Sequence, residues 1–489
     1  MTEYSPTLEE NFAKETIRGS FWNYISFVSG KLLNFVSTLI LARLLVPQQF
    51  GLVAYCTIAI QYLDIINTSG MDSALISRKD KIEEAANSAF AANVILGIVS
   101  FIAAWLAAPS IAYFFKTDEI TPLFRLLAVV LPISSFGLVP YTMLLRGLRF
   151  QTKLIPDLFS SLAKGLVAIG LALFGFGPWS LIWGQIVGAT ISTILSWILA
   201  KWHPTWRFDS ASTRGVLVYG GHITLGEFAG QLRNNVDYII VGRILGAASL
   251  GIYTLSYRIP ELIIRSVNLV VEKVAFPLLS QIQSDSESLR SIYFGYVRYI
   301  AMFTFPMGFG LALITPLFVE SFLSEKWTQV VTPMALVSIA LAISSVGFVP
   351  GVLYKAINRP EILNWLSLIK IPAIILIVWY FSRWGIVGVA AGQILFACIT
   401  MSLDGYMVSR IIEFKIIEMW HALVPAIICT ISMVFVVGAV EFFLSPSGII
   451  GLFFVTLIGA VVFIFTLSFV DRNLTSLAYK ALKKMSVRQ

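Results

Sequence analysis

Apolar runs of membrane-crossing length follow one another along the chain, separated by short polar joints. A helix needs about 20 mostly apolar residues to cross a bilayer. Runs that satisfy this rule fall at 20–45, 51–76, 87–115, 121–145, 154–175, 178–200, 215–241, 250–276, 291–319, 329–354, 362–381, 384–408, 418–441 and 448–470. The pattern predicts an all-α integral membrane protein of about fourteen transmembrane helices. The joints hold residues that interrupt helices, with Pro47, Pro122, Pro178 and Gly385 at entries or exits. Residues 1–18 are polar and acidic, and no small-residue cleavage site follows the first run, which is therefore expected to stay as a helix.

Composition agrees with this reading. Of the 489 residues, 57% are hydrophobic and 13% charged, against roughly 25% charged in a soluble domain. The net charge of +8 does not signal a nucleic-acid binder, because the cations sort by loop. Twenty-one Lys and Arg fall in the connections on the N-terminal side of the membrane. Only Arg43, Lys116, Arg243, Lys326 and Arg383 fall on the other. The bias predicts both termini in the cytoplasm, and it extends to a basic tail suited to an anionic inner leaflet. Cys56, Cys398 and Cys429 lie in apolar stretches and read as small hydrophobes. Three scattered histidines offer no metal-ligand spacing, and no cofactor or metal is expected.

Comparison of the chain with itself reveals a repeat. Residues 30–51, GKLLNFVSTLILARLLVPQQFG, align without gaps on 230–251, GQLRNNVDYIIVGRILGAASLG, with eight identities in 22 positions. ISSFGLVP at 133–140 returns as ISSVGFVP at 343–350. Gly177 with Gly184-Gln185-Ile186 returns as Gly385 with Gly392-Gln393-Ile394. The expected architecture is an N-terminal six-helix lobe (1–200), a cytoplasmic linker (201–214), a C-terminal six-helix lobe (215–410), and an extra helix pair with a basic tail (411–489). Six is an even number, so both lobes insert the same way round. Parallel repeats of this kind are related by an axis along the membrane normal, with the substrate path between them.

Charges in mid-span cost on the order of 2.5–3.5 kcal/mol each on insertion scales, and so ask for a reason. Lys31, Asp64, Glu227, Arg233, Glu261 and Arg265 lie near the centres of the first, second, seventh and eighth spans, with Arg258 and Asp237 further toward the outside. Steps of three and four residues place them on polar faces with Gln61, Gln231, Asn234 and Asn268. Such faces turn toward a wet cavity. At the offset of 200 each charge meets an uncharged residue, Lys31 matching Gln231 and Glu261 matching Gln61. The scaffold repeats while the ionic equipment does not, as an asymmetric charged cargo requires. Mutual pairing that locks the bundle is the alternative, through Arg258 or Arg265 with Glu261, or Lys31 with Asp64. Arg125, Lys164, Arg298 and Lys370 stand alone in the sequence and receive no role.

The ordered set LARLLVPQQFGLVA (41–54), LLRGLRF (144–150), GFGPWSLIWGQI (175–186), DYIIVGRILGAASLGIY (237–253) and FPLLS (276–280) resembles the polysaccharide transporter branch of the MATE-like flippase superfamily. These are the Wzx-type O-antigen and exopolysaccharide flippases, and the likeness is greatest to colanic-acid and teichuronic-acid exporters. The resemblance spans about residues 15–410. It implies a transporter, not an enzyme, in the bacterial inner membrane. It also implies an undecaprenyl-pyrophosphate-linked oligosaccharide as cargo, moved from the inner to the outer leaflet by alternating access for surface polysaccharide biosynthesis. Arg258, Arg265, Lys31 and Arg233 are then candidate substrate-binding cations, and Glu261, Asp64 and Glu227 candidate coupling or charge-switch acids. Membrane lipid and the polymerase and glycosyltransferases of the same pathway are the implied partners. A multidrug or other lipid exporter of the superfamily is the alternative. A membrane glycan polymerase or acyltransferase is a further one, but it needs a catalytic domain or long external loop, whereas the outer joints here run under about ten residues.

Overall fold

The computed structural model describes residues 29–471 apart from 79, 148, 149, 206–209 and 284. The acidic N-terminal segment, the start of the first expected span, part of the linker and the basic tail from 472 lie outside the described residues. Among the described residues there is no strand, and eleven segments are long and apolar enough to cross a membrane. The protein is an all-helical integral membrane protein. Two of the eleven segments, Gly226–Gln281 and Glu361–Ile411, are 56 and 51 residues long; the second contains two of the expected spans, and the first contains the eighth and the latter part of the seventh.

The first helix, α1, is described over residues 29–44. It is followed by α2 (Pro47–Thr68), α3 (Met71–Ser77), α4 (Ile82–Phe115), α5 (Ile120–Leu127), α6 (Val130–Arg146), α7 (Phe150–Leu173) and α8 (Pro178–Ala200). Next come α9 (Ser210–Gln281), α10 (Ser286–Phe322), α11 (Val331–Val346), α12 (Phe348–Ala356), α13 (Glu361–Phe381), α14 (Gly385–Ile411), α15 (Ile416–Leu444) and α16 (Gly448–Val470). Local chemistry sets these ends. Pro47 and Pro178 open α2 and α8 at the first turn, where a missing N–H costs nothing. Gly177 precedes α8 and Gly385 opens α14, with φ of 55° and 67°, a left-handed backbone that a side chain would strain. Asp285 caps α10 by accepting from the backbone N–H groups of Glu287 and Ser288.

Three expected spans are broken inside. The second divides between α2 and α3 at Ser69 and Gly70, which have φ of 41° and 59°. The fourth divides between α5 and α6, and the tenth is made of a 3-10 turn followed by α11 and α12. The seventh and eighth, conversely, run together as α9, interrupted at Gly246 (φ 84°, ψ 178°), a conformation open to glycine alone.

Contacts group the chain into two compact units. The first takes the residues up to Asn235 together with Gly246–Gly251, and the second takes Val236–Leu245 with the residues from Ile252 onward. In the first unit, Asn67, Asn93 and Ser135 form a buried hydrogen-bonded set linking α2, α4 and α6. The Ser135 hydroxyl donates to Asn67 Oδ1 at 2.9 Å, and Asn93 donates to the Ser135 carbonyl at 3.1 Å. Small residues let these helices approach, since a Cβ on Gly137 would lie 2.6 Å from Thr193 Oγ1 on α8. Gly51 and Gly251 also touch reciprocally. A Cβ on Gly51 would lie 1.8 Å from the Ala247 carbonyl oxygen, and one on Gly251 would lie 1.9 Å from that of Pro47.

The second unit packs α10, α11, α14 and α15 around buried Tyr293, Val297, Ala342, Val346 and Tyr354. Its deepest ion pair joins Lys370 of α13 to Asp404 of α14, with Nζ donating to both carboxylate oxygens at 2.7 and 2.9 Å. The final helices are tied to α10 by two more pairs, Arg290 with Glu418 and Arg298 with Asp471. Arg125 lies 5.1 Å from the centroid of the Trp105 ring. Three of the cations that stand alone in the sequence, Arg125, Arg298 and Lys370, are thus partnered in the fold.

Candidate functional site

In the first unit the candidate charges lie on α1, α2 and the first part of α9. Lys31 and Arg233 are half-buried, and each makes a polar or electrostatic contact within the fold. Asp64 is half-buried on α2, and Glu227 is exposed on α9 within electrostatic range of Asp64 and Asp72. Helix α2 meets α9 through amides. Gln61 Oε1 accepts from Gln231 Nε2 at 2.7 Å and from Asn235 Nδ2 at 3.4 Å. The Tyr62 hydroxyl donates to the Gln231 carbonyl at 3.4 Å, and the Tyr62 ring stands edge-on to Phe228 at 5.3 Å. Gln61, Glu227 and Asn234 are exposed although they lie in helices of membrane-crossing character. Charged and amide groups left open at that depth belong against water, not hydrocarbon.

In the second unit Arg258, Glu261 and Arg265 share one side of α9, at spacings of three and four residues. Arg265 closes an ion pair with Glu261, and the two side chains retain 58% and 39% exposure. The alternative pairing of Glu261 with Arg258 does not form. Arg258 is exposed and makes no hydrogen bond or ion pair among the described residues, its electrostatic neighbours being Tyr238 and Glu261. One arginine is therefore held by a carboxylate and the other stands open, seven residues away on the same helix.

Beside Arg258 the fold builds a buried polar set that the spacing did not reveal. Asp237, 4% exposed, accepts from the Tyr253 hydroxyl at 2.7 Å and from Gln393 Nε2 at 3.1 Å, both through Oδ2. Gln393 also donates to the Tyr253 hydroxyl oxygen at 2.8 Å. The other carboxylate oxygen, Oδ1, is buried without a partner among the described residues. The rings of Tyr238, Tyr253 and Tyr257 pack around this set at centroid distances of 4.9 to 5.8 Å. Gln393 sits in the repeated Gly-Gln-Ile stretch, so the sequence held a signal for its position but none for its partner. Asp404 was missed altogether, being one acid in an apolar run with its cation on another helix. Among the described residues no cluster of His, Cys, Asp or Glu has metal-holding geometry.

Comparison with known proteins places these residues in a family context. Teichuronic acid biosynthesis protein TuaB of Bacillus subtilis is 25% identical over 423 residues, covering 83% of this chain and 87% of that protein. Lipopolysaccharide biosynthesis protein WzxC of Escherichia coli is 26% identical over 403 residues, covering 81% of each. Among solved structures, the lipid II flippase MurJ in an inward closed conformation superposes with a TM-score of 0.76 at 16% identity. That match covers 94% of this chain and all of the other, and it establishes a shared fold. The family model described as polysaccharide biosynthesis protein matches residues 40–332, more than half of the chain, and the protein belongs to that family.

Proposed function

We propose that the protein is a flippase that carries an undecaprenyl-pyrophosphate-linked oligosaccharide from the inner to the outer leaflet of the bacterial inner membrane. The observation that carries this reading is the pair of exposed arginines, Arg258 and Arg265, on a membrane-length helix in a polysaccharide biosynthesis family member. A pyrophosphate needs cations that bind it and then release it. Arg258 offers an open guanidinium. Arg265 offers one that the cargo must win from Glu261, so the unloaded site keeps that charge compensated. Lys31 and Arg233 add cations in the first unit. Glu261, Asp64 and Glu227 are the acids whose charge state tunes them, and the cycle is one of alternating access.

The reading includes fourteen crossings with both termini cytoplasmic, arranged as lobes 1–200 and 215–410, a linker at 201–214 and an added helix pair in 411–489. Two observations support a parallel repeat. Gly177 and Gly385, equivalent in the sequence repeat, share a similar left-handed φ at the start of a helix. Gly51 and Gly251, equivalent at the offset of 200, pack reciprocally on Ala247 and Pro47, also equivalent. A two-fold relation produces contacts of this form. Glycosyltransferases that build the oligosaccharide and a polymerase that consumes it are the pathway partners.

The test replaces Arg265 in a strain that lacks its own copy, with surface polysaccharide and membrane protein level measured together. Arg265→Ala is expected to abolish export at normal abundance. Arg265→Lys is expected to be partly active, because an ammonium keeps the charge without the bidentate fork. Normal export by Arg265→Ala sinks the anion-handling role, and export that falls only in step with abundance returns the pair to a structural one.

A further inference from the structure

A lipid-linked oligosaccharide has two recognisable chemistries, an anionic pyrophosphate and a polyhydroxyl glycan. Arginines answer the first. Guanidinium groups do not distinguish one glycan from another, so the second needs amides, carboxylates and an open aromatic ring. The amide ladder of the first unit supplies these. Gln61 uses its carbonyl to hold Gln231 and Asn235. Its own NH2 group donates to nothing among the described residues, and the side-chain carbonyls of Gln231 and Asn235 accept nothing there. Each of the three amides therefore keeps a donor or an acceptor to spare. The Phe228 ring is 40% exposed, one turn of α9 before Gln231. Glu227 lies one turn before Gln231, and Asp64 lies one turn after Gln61 on α2. Interhelical polar glue satisfies its members and hides them. This ladder leaves donors and acceptors unsatisfied, and its Gln61 stays exposed with Gln231 and Asn235 half-buried, in helices of membrane-crossing character.

We propose that Gln61, Gln231 and Asn235, with the open ring of Phe228 and the carboxylates of Asp64 and Glu227, form a carbohydrate-binding face that selects the glycan by its hydroxyl pattern. The Phe228 ring takes the C–H face of a sugar. The carboxylates accept from vicinal hydroxyls, and the spare amide atoms donate or accept according to the sugar's configuration. Amides held to one another are pre-oriented, so a sugar lacking the matching hydroxyl leaves them unpaired, which is the strongest source of discrimination that hydrogen bonding offers. This inference rests on the flippase reading and adds to it the residues that choose the cargo.

The test measures binding in nanodiscs with two probes: bare undecaprenyl pyrophosphate, and the lipid-linked oligosaccharide extracted from a strain that accumulates it for want of a flippase. Gln61→Leu with Gln231→Leu removes the ladder at similar volume. Phe228→Ala leaves the ladder's hydrogen bonds in place and guards against a folding defect. Both variants are expected to bind the sugar-bearing lipid about tenfold or more less tightly while holding bare undecaprenyl pyrophosphate within about twofold. Arg258→Ala is expected to weaken both probes alike. The proposal is overturned if neither the ladder variant nor Phe228→Ala changes the ratio of the two affinities, including by lowering both together. If Arg258→Ala leaves both affinities intact while these two variants lower only the glycan probe, the anion reading fails and the glycan face stands.

Discussion

Lys370 and Asp404 show how burial changes the worth of a charge. The two groups lie on α13 and α14, within expected membrane spans, and Asp404 is 3% exposed. Removing one member strands the other, a cost of about 3–5 kcal/mol for a buried pair, whereas exchanging both for apolar groups of like volume is often near neutral. Lys370→Met is therefore expected to lower the unfolding temperature in detergent and the membrane level. Lys370→Met with Asp404→Leu is expected to recover most of the loss. A double variant as unstable as the single one would show that the Asp404 side chain matters through its packing and not through its charge. The pair also marks the limit of reading side chains from a sequence. Glu261 and Arg265 were legible because four residues along one helix bring them together, and that ion pair forms. Glu261 with Arg258 obeyed the same rule at three residues and does not pair. Lys370 with Asp404, Arg298 with Asp471 and the Asp237–Tyr253–Gln393 set join residues from different helices, which periodicity does not see.

At the scale of helices, apolar length alone located the segments, because a bilayer imposes one length on every crossing. It did not locate Ser69–Gly70 or Gly246, where one or two residues with positive φ break a helix without interrupting its apolar run. The sequence repeat matched residues 30–51 to 230–251 without indicating that they touch, and the fold brings α2 and α9 together there. Gly51 and Gly251 each lie against a carbonyl oxygen of the other segment, leaving no room for even a methyl group. Gly51→Ala and Gly251→Ala each push the same two backbones apart. Each is expected to cost roughly 1–3 kcal/mol, the usual range for overpacking. Once one alanine has opened the contact, the second has less to disturb, so the double variant is expected to cost less than the sum of the two. Thermal unfolding of the three variants reads this directly. A severe Gly51→Ala beside a silent Gly251→Ala would rule out a reciprocal contact, and with it the support this crossing gives to a parallel repeat.

For the whole molecule, the direction of transport depends on which ends of the helices face the cytoplasm, and hydropathy is blind to that choice. The cations are not. With the N-terminus inside, twenty-one Lys and Arg occupy cytoplasmic connections and five occupy the outer ones, and short loops rich in Lys and Arg resist translocation. Asp237, Glu261 and the other mid-span acids do not enter this count, since acids contribute little to orientation. The fold offers labelling positions near the segment ends on both expected faces. Gln48, in the first turn of α2, is exposed and Ser249, just after the Gly246 break in α9, is half-buried, and both belong to the expected outer surface. Ser77 ends α3, and Ser286 begins α10 and is exposed; both belong to the inner one. Single cysteines at these four positions, in a chain with Cys56, Cys398 and Cys429 replaced, are expected to split cleanly with an impermeant thiol reagent applied to intact spheroplasts. Gln48→Cys and Ser249→Cys should react, Ser249→Cys more slowly, while Ser77→Cys and Ser286→Cys should react only after the membrane is opened. Agreement between Gln48→Cys and Ser249→Cys tests the parallel repeat as well, since they lie at near-equivalent positions of the two repeats and an inverted repeat would place them on opposite faces. Reversal of all four would turn the arginine-bearing helix upside down relative to the cytoplasmic pool of lipid-linked sugars and exclude the outward direction of transport.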